Sequence, residues 1–159
     1  MSHGITSDTR RVPEAWIDYN GHMNLAYYVM AFDEALDAIL DDELGVGPSY
    51  VKSSNAGPFA LQNHVHYLGE LLAGDAFFCR FLLLDADAKR LHVAGSMIRA
   101  EDDATVCVME QVLINVNHAT RRSAPYPPEI EARITALAAA HAHIARPAQI
   151  GRPIGLRHR

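Results

Sequence analysis

Several shortages in the 159-residue sequence exclude whole classes of protein. Cysteine is scarce: there are two, Cys79 and Cys107, each inside an apolar run and neither in a C-x-x-C spacing. A disulfide scaffold and a thiolate zinc site are therefore not expected, and both residues read as buried, reduced thiols. Cations are in the minority, 14 Lys and Arg against 19 Asp and Glu, for a net charge of -5. Nucleic-acid binders carry a basic face for phosphate, so nucleic acid is not an expected partner. Arg121-Arg122 and the closing Arg157-His158-Arg159 are too short to make such a face. Long apolar runs are missing too. Nothing approaches the ~20 residues of a membrane-spanning helix, and the opening "MSHGITSDTRR" has no apolar stretch of the signal-peptide kind. The expectation is a cytoplasmic protein with no membrane partner. Phosphate loops of the forms G-x-x-x-x-G-K-[ST] and G-x-G-x-x-G are absent, which argues against nucleotide hydrolysis and hydride transfer. The nine His include no H-E-x-x-H motif. His141 and His143 are not a facing pair on a helix, so no metal is expected.

What is present is core-forming. The chain is 49% hydrophobic, which suits one domain over 1–159, with its core at about 10–143 and an irregular tail at 144–159. Leu25, Tyr28, Val29, Phe32, Leu36 and Ile39 recur at helical spacing and predict an amphipathic helix over 25–40. Ala26, Ala31, Ala35 and Ala38 favour the helix and let neighbours approach closely. Asn24 is the expected N-cap, and Gly45 and Gly47-Pro48 are the expected stop. Asp41, Asp42 and Glu43 oppose the helix dipole at that end and are expected to face solvent. Ser49 to Pro58 reads as loop.

The period then drops to two. "FALQNHVHYL" predicts a strand with Phe59, Leu61, Asn63, Val65 and Tyr67 on one face and Gln62, His64 and His66 on the other. "AFFCRFLLL", "RLHVAGSMIRA" with a bulge at Gly95, and "TVCVMEQVLINVN" predict three long antiparallel strands. The first of these is apolar enough to be covered on both faces. A short strand in "RRVPEAW" is expected before the helix. "PYPPEIEARITALAAAHAHI" predicts a closing helix with Pro128 near its first position. The layer rules then give an α+β domain, one curled antiparallel sheet wrapped around one long helix, plus a C-terminal helix. Such a sheet leaves a face and edges open, so a homodimer is expected, with a dimer of dimers as the larger alternative.

The densest polar chemistry lies just before the long helix, in "WIDYNGHMN". Taken alone, Asp18-Tyr19-Asn20-Gly21 is a good turn and Asn24 a good cap. This motif and the order of elements resemble the hotdog-fold acyl-CoA thioesterases of the 4-hydroxybenzoyl-CoA thioesterase type, over roughly Arg10 to His143. The carrying features are "DYNGHMN", an Asp followed three residues later by Gly before the helix, then "HVHYLGELLAGD", "DAKRLHV" and "MEQVLINV". Within that family, "WIDYNGHMN", "HYLGE..AGD" and "DAKRLH" look most similar to a bacterial subgroup of carnitine and betaine metabolism, the betainyl-CoA thioesterases. These occur alone or fused to a carnitine dehydrogenase. The subgroup often carries Glu where this chain has Gln62.

The resemblance implies hydrolysis of a short or polar acyl-CoA, with no cofactor beyond the coenzyme A of the substrate. Asp18 is implied as nucleophile or as general base toward water. Gly21 would let the backbone approach a ligand. The N–H groups of the helix start, near His22, Met23 and Asn24, would form an oxyanion hole. His22 either donates to substrate or braces the loop, and Asn24 caps the helix or also holds the loop. Gln62 and His64 either reach the substrate groove or are structural, and His66 is a weaker candidate. Glu70 is the alternative carboxylate, and Glu110 is expected in a structural hydrogen bond. Lys89-Arg90 either meets the coenzyme A phosphates, through Arg90, or lies solvated at a turn. A betainyl group would need aromatic faces for its trimethylammonium head. Tyr28 and Phe59 lead that set, ahead of Trp16, Tyr19, Tyr27 and Tyr67, with Asp33 and Glu34 as acidic neighbours. The alternative function is a non-hydrolytic acyl-CoA-binding or hydratase-like hotdog protein.

Overall fold

The computed structural model describes residues 3–156, so the closing Arg157-His158-Arg159 lies outside the described residues. In chain order the elements are β1 (Ile5–Thr6), β2 (Arg10–Arg11), a 3-10 turn (Glu14–Trp16), α1 (Leu25–Ile39), a π-helical turn (Leu40–Leu44) and α2 (Pro48–Ser54). They continue with β3 (Ala56–Tyr67), β4 (Ala76–Ala86), β5 (Arg90–Arg99), β6 (Thr105–Asn117), β7 (Arg122–Ser123) and α3 (Pro128–His141). The strands form one antiparallel sheet in the order β1-β4-β5-β6-β3, with β2 also on β4 and β7 on β6. The expected architecture, a curled sheet around one long helix with a C-terminal helix beside it, is the one observed.

α1 forms because its apolar spacing and its cap agree. The Asn24 side chain accepts from the Ala26 N–H, and Tyr28, Ala31, Phe32, Ala35, Leu36 and Ile39 are buried along one face. Leu25 leaves that stripe and stands 62% exposed at the helix start. Phe32 is fully buried and meets Phe81 of β4 edge-on at 6.0 Å between ring centres. Burying a side chain of that size stabilises by about 1.5–3 kcal/mol, and truncating it to Ala costs about 3–5 kcal/mol once the cavity is included. α3 lies against β4. His141 is buried, and its Nδ1 accepts the Leu83 N–H at 3.0 Å. Burial lowers its pKa, so the ring stays neutral and the proton sits on Nε2. Cys79 and Cys107 are buried free thiols, both pushed up to about 12 by burial.

Besides Leu25, the structure departs from the sequence reading in five places. Ser49 to Pro58 is not all loop: α2 occupies Pro48–Ser54, with Pro48 in its first turn. Its N-terminus is held by Asp41, whose carboxylate takes the Ser49 N–H at 3.1 Å and the Ser49 hydroxyl at 2.6 Å. Asp41 thus has a capping role. "RRVPEAW" pairs only at Arg10–Arg11 and then turns as a 3-10 segment, because Pro13 cannot donate to a ladder. Gly95 is not at a bulge; it pairs in register with Phe81 and Met109. A Cβ there would lie 2.9 Å from both the Phe32 and Phe81 rings, so the glycine makes room for the aromatic contact under the sheet. The remaining two departures, a bulge in β3 and the partners of the loop N–H groups, shape the site.

Candidate active site

The loop before α1 is a small hairpin. Asp18 N donates to His22 O at 3.1 Å, Gly21 N to Asp18 O at 2.9 Å and Asn24 N to Trp16 O at 2.9 Å. Gly21 has φ +80 with nothing within 4 Å of where a Cβ would stand, so its glycine is required by conformation rather than by crowding. Asp18 is half-buried. One carboxylate oxygen accepts the Asn20 N–H at 2.8 Å, and the other accepts the Asn24 side-chain N–H at 3.1 Å. The opposite end of the same Asn24 amide takes the Ala26 N–H at 3.0 Å. One side chain therefore caps the helix and aims the carboxylate.

These bonds also engage two of the amides expected as oxyanion donors. Met23 N is occupied by Leu71 O at 2.8 Å and Asn24 N by Trp16 O. Among the described residues, the N–H groups of His22 and Leu25 have no hydrogen-bond partner in the loop or helix. Leu25 N is the first amide of α1, where the helix dipole is positive. Beside it opens a hollow of about 240 Å³ lined by His22, Leu25, Tyr28, Tyr67 and Glu70 among others. Tyr28 and Tyr67 meet edge-on at 5.4 Å. The Tyr28 hydroxyl is committed to structure: it accepts the Leu71 N–H at 3.0 Å and donates to Gly69 O, and burial pushes its pKa up to about 12. The Tyr67 hydroxyl donates to Leu25 O at 3.1 Å. His22 Nδ1 lies 3.2 Å from Met23 O.

Asp18, Gly21, His22, Asn24 and Tyr28 are thus gathered at one end of α1, with Glu70 at the hollow. Phe59, Gln62, His64 and Arg90 are elsewhere in the chain. A bulge at Leu61 breaks the alternation of β3: Ala60 pairs with Leu113, but Gln62 pairs with Val112. The extra residue turns Phe59 onto the same face as Gln62 and His64, the face away from α1. Phe59 packs there on His118 and under the Arg121 guanidinium, 5.4 Å from its ring centre. Gln62 and His64 line a groove on that outer face with His92, Glu110 and Arg152. Glu110 accepts from Gly151 N at 2.7 Å and from His92 Nε2 at 2.8 Å. Burial works to raise its pKa, but those two hydrogen bonds hold it lower. The structural role expected of Glu110 is what its partners give it. Arg90 is engaged by Asp87, whose pKa its guanidinium lowers to about 2. Trp16 and Tyr27 stack on each other at 5.2 Å, with Arg10 over the Trp16 ring. Tyr19 is exposed at the loop tip.

The free Leu25 N–H and the Tyr67–Leu25 bond were missed by sequence reasoning, since neither a backbone vacancy nor a cross-element contact has a sequence signature. Among the described residues, no group of three or more His, Cys, Asp or Glu is placed to hold a metal, and no helix is long and apolar enough to cross a membrane.

The chain matches the family described as the thioesterase-like superfamily over residues 12–134. It is 36% identical over 156 residues to a betainyl-CoA thioesterase of Pseudomonas aeruginosa, covering 98% of each chain. It is 32% identical over 145 residues to an L-carnitine dehydrogenase/betainyl-CoA thioesterase of Rhizobium meliloti, covering 91% of this chain and 29% of that longer protein. A hypothetical protein of Staphylococcus aureus solved in complex with CoA superposes with a TM-score of 0.89 at 27% identity, covering 99% of this chain and 98% of that one. A family match over most of the length, supported by relatives above 30% identity, means that this chain belongs to the thioesterase-like superfamily and carries the hotdog fold of its acyl-CoA thioesterases.

Proposed function

We propose that this chain is an acyl-CoA thioesterase that cleaves betainyl-CoA to betaine and free coenzyme A at the Asp18 loop. The observation that carries the reading is the shared use of Asn24. It fixes the Asp18 carboxylate and, as N-cap, the helix start whose first free amide is Leu25 N. A carboxylate and an oxyanion donor are thereby held by one residue, which is what attack on a thioester carbonyl needs. One well-placed donor of this kind contributes about 3–4 kcal/mol to lowering the barrier. Asp18 either attacks the carbonyl or draws the proton from a water that does.

The hollow beside Leu25 suits the acyl group. The exposed ring of Tyr67, backed by the buried Tyr28, and the carboxylate of Glu70 offer a trimethylammonium head the cation–π and ionic contacts it requires. In this reading Tyr67 takes the place first assigned to Phe59. The similarity to the betainyl-CoA thioesterase of Pseudomonas aeruginosa supports the acyl assignment, and the CoA-bound Staphylococcus aureus protein supports coenzyme A as the leaving group.

The working unit in this reading is a homodimer of one-domain chains. β3 is a sheet edge with β6 as its only strand neighbour among the described residues, and it exposes Phe59, Leu61 and Tyr67. A bare apolar edge of this kind invites a second copy, which would also wall the hollow next to Tyr67. The buried reduced thiols support a cytoplasmic setting.

Thiol release from a panel of acyl-CoAs tests the function. Wild type should turn over betainyl-CoA at least roughly tenfold faster than a neutral branched isostere, the scale of one desolvated cation–π contact. Asp18→Asn should lower kcat by ~10²-fold or more with the fold intact. Equal turnover of the isostere removes the betaine assignment. A fully active, folded Asp18→Asn moves the chemistry to another carboxylate, Glu70 first.

A further inference from the structure

Past α3 the described residues form no further helix or strand, yet they are placed. Arg146 Nη2 donates to Leu84 O of β4 at 3.1 Å, and Gly151 N donates to the Glu110 carboxylate on β6 at 2.7 Å. The arm between them roofs the outer face of the sheet, opposite α1. Under this roof lies a hollow of about 450 Å³, well within the range of small-molecule sites, about 300–1,000 Å³. Its floor follows from strand register. Arg80 stands opposite Ser96, and Leu82 opposite Ala94, while Val108 stands opposite Ser96 from the other side. Arg146, Gln149 and Ile144 come from the arm, and Thr105 and His3 from the rim.

Two features mark this hollow as built for an anion. Its lining holds two arginines and no Asp or Glu, in a chain whose net charge is -5. The Arg80 Nε is buried with no hydrogen-bond partner among the described residues, while its guanidinium is steadied over the Phe78 ring at 5.8 Å. Arg80 as a whole is only half-buried, and an anion in the hollow would meet the outer nitrogens of its guanidinium through charge-assisted hydrogen bonds. Leu82, Ala94, Val108 and Ile144 give the hollow an aliphatic stretch, while Ser96, Thr105, Gln149 and His3 add polar groups to its wall.

We propose that this hollow is a second ligand site, remote from the Asp18 loop, that takes an aliphatic carboxylate, its head on Arg80 and Arg146 and its chain along the aliphatic floor beneath the C-terminal arm.

The test is a titration of the full chain, followed by NMR of backbone amides and arginine Nε–H groups, with hexanoate as probe and hexanol and inorganic phosphate as comparisons. Hexanoate should shift the Arg80 Nε–H and the amides of Ser96, Thr105 and Gln149 in a saturable way. Arg80→Gln and Arg146→Gln should each weaken binding by roughly tenfold or more, the size of one charge-assisted hydrogen bond. Arg146 lies on the arm, so its variant reports even if Arg80→Gln fails to fold. Thiol release in the absence of hexanoate should be unchanged in Arg146→Gln. Any of four results overturns the proposal: hexanol binding as tightly as hexanoate, phosphate alone giving the same shifts with the same affinity, shifts confined to the Asp18 loop, or no saturation below roughly 10 mM. Loss of turnover in Asp18→Asn with hexanoate binding retained would keep this site separate from the reading of the Asp18 loop.

Discussion

Asn24 is the position where stability and chemistry can be separated by substitution. Its side-chain oxygen takes the Ala26 N–H at 3.0 Å and its side-chain nitrogen donates to Asp18 at 3.1 Å. Asn24→Ala removes both bonds. Loss of an N-cap costs about 1 kcal/mol, and for a chain of this size that lowers Tm by about 2–4 °C. Asn24→Ser keeps an oxygen that can cap but lacks the reach and geometry to hold Asp18, so it should melt within about 1 °C of wild type. Its kcat should nevertheless fall. A hydrogen bond to a charged group is worth about 1.5–3 kcal/mol, and because Asp18 is only half-buried the lower end applies. That corresponds to roughly tenfold in rate. Asn24→Asp also retains a cap but sets a carboxylate against Asp18, and two such groups resist ionising together. The acid limb of its kcat profile should therefore move to higher pH, a change that a purely structural role would not produce. Thiol release against pH and thermal melting of the three variants make the assay. Full kcat and an unmoved pH profile in Asn24→Ser and Asn24→Asp would refute the aiming role and leave Asn24 a cap alone.

Three further outcomes are expected. Gly95→Ala places a methyl 2.9 Å from the Phe32 and Phe81 rings and should destabilise by about 1–3 kcal/mol, read as a lower urea midpoint with an unchanged slope; a neutral effect would mean the rings yield freely. His141 has its pKa lowered from 6.5 by burial, so the unfolded chain takes up a proton first on acidification; the stability present above that value is lost as pH falls below it. His141→Gln, which can still accept from Leu83, should flatten the urea-midpoint slope between about pH 7.5 and pH 5.5; Glu110, with its pKa held below 4.5, acts outside that window, and identical slopes would exclude His141 as the source. Sedimentation equilibrium should give a dimer for wild type and a monomer with little thiol release for Leu61→Lys on the β3 edge; a monomeric wild type with full activity would sink the dimer.

Much of the fold was legible because it rests on periodicity. α1 follows its 3.6-residue apolar stripe and Asn24 cap, and β4, β5 and β6 follow long apolar runs set between turns rich in Asp and Gly. α2 was not legible, because its seven residues, Pro48–Ser54, are too few for a period, and its N-terminus is held by Asp41 from another turn. Gly95 was misread because a glycine inside a strand signals a bulge or a close approach equally well, and the ring it accommodates comes from α1. The candidate site was half legible. Asp18, Gly21, His22 and Asn24 are neighbours in sequence, so their proximity was visible from the start. Phe59, Gln62 and His64 were placed by strand face and Arg90 by its turn, and the bulge at Leu61 reversed the face of Phe59.

Composition, spacing and a contiguous motif by themselves determined the architecture and the position of the Asp18 loop, since local propensity, apolar period and turn chemistry all act over a few neighbouring residues. Tertiary structure decided which amides remain free. Met23 N is filled by Leu71 O, a residue 48 positions away, and the first amide of α1 is left open. It also decided that Tyr67 rather than Phe59 stands at the helix start, and that the C-terminal arm folds back over Arg80. These outcomes depend on strand register and on long-range hydrogen bonds. A one-residue slip in a strand exchanges its two faces, and no local pattern in the chain encodes which carbonyl will meet which amide.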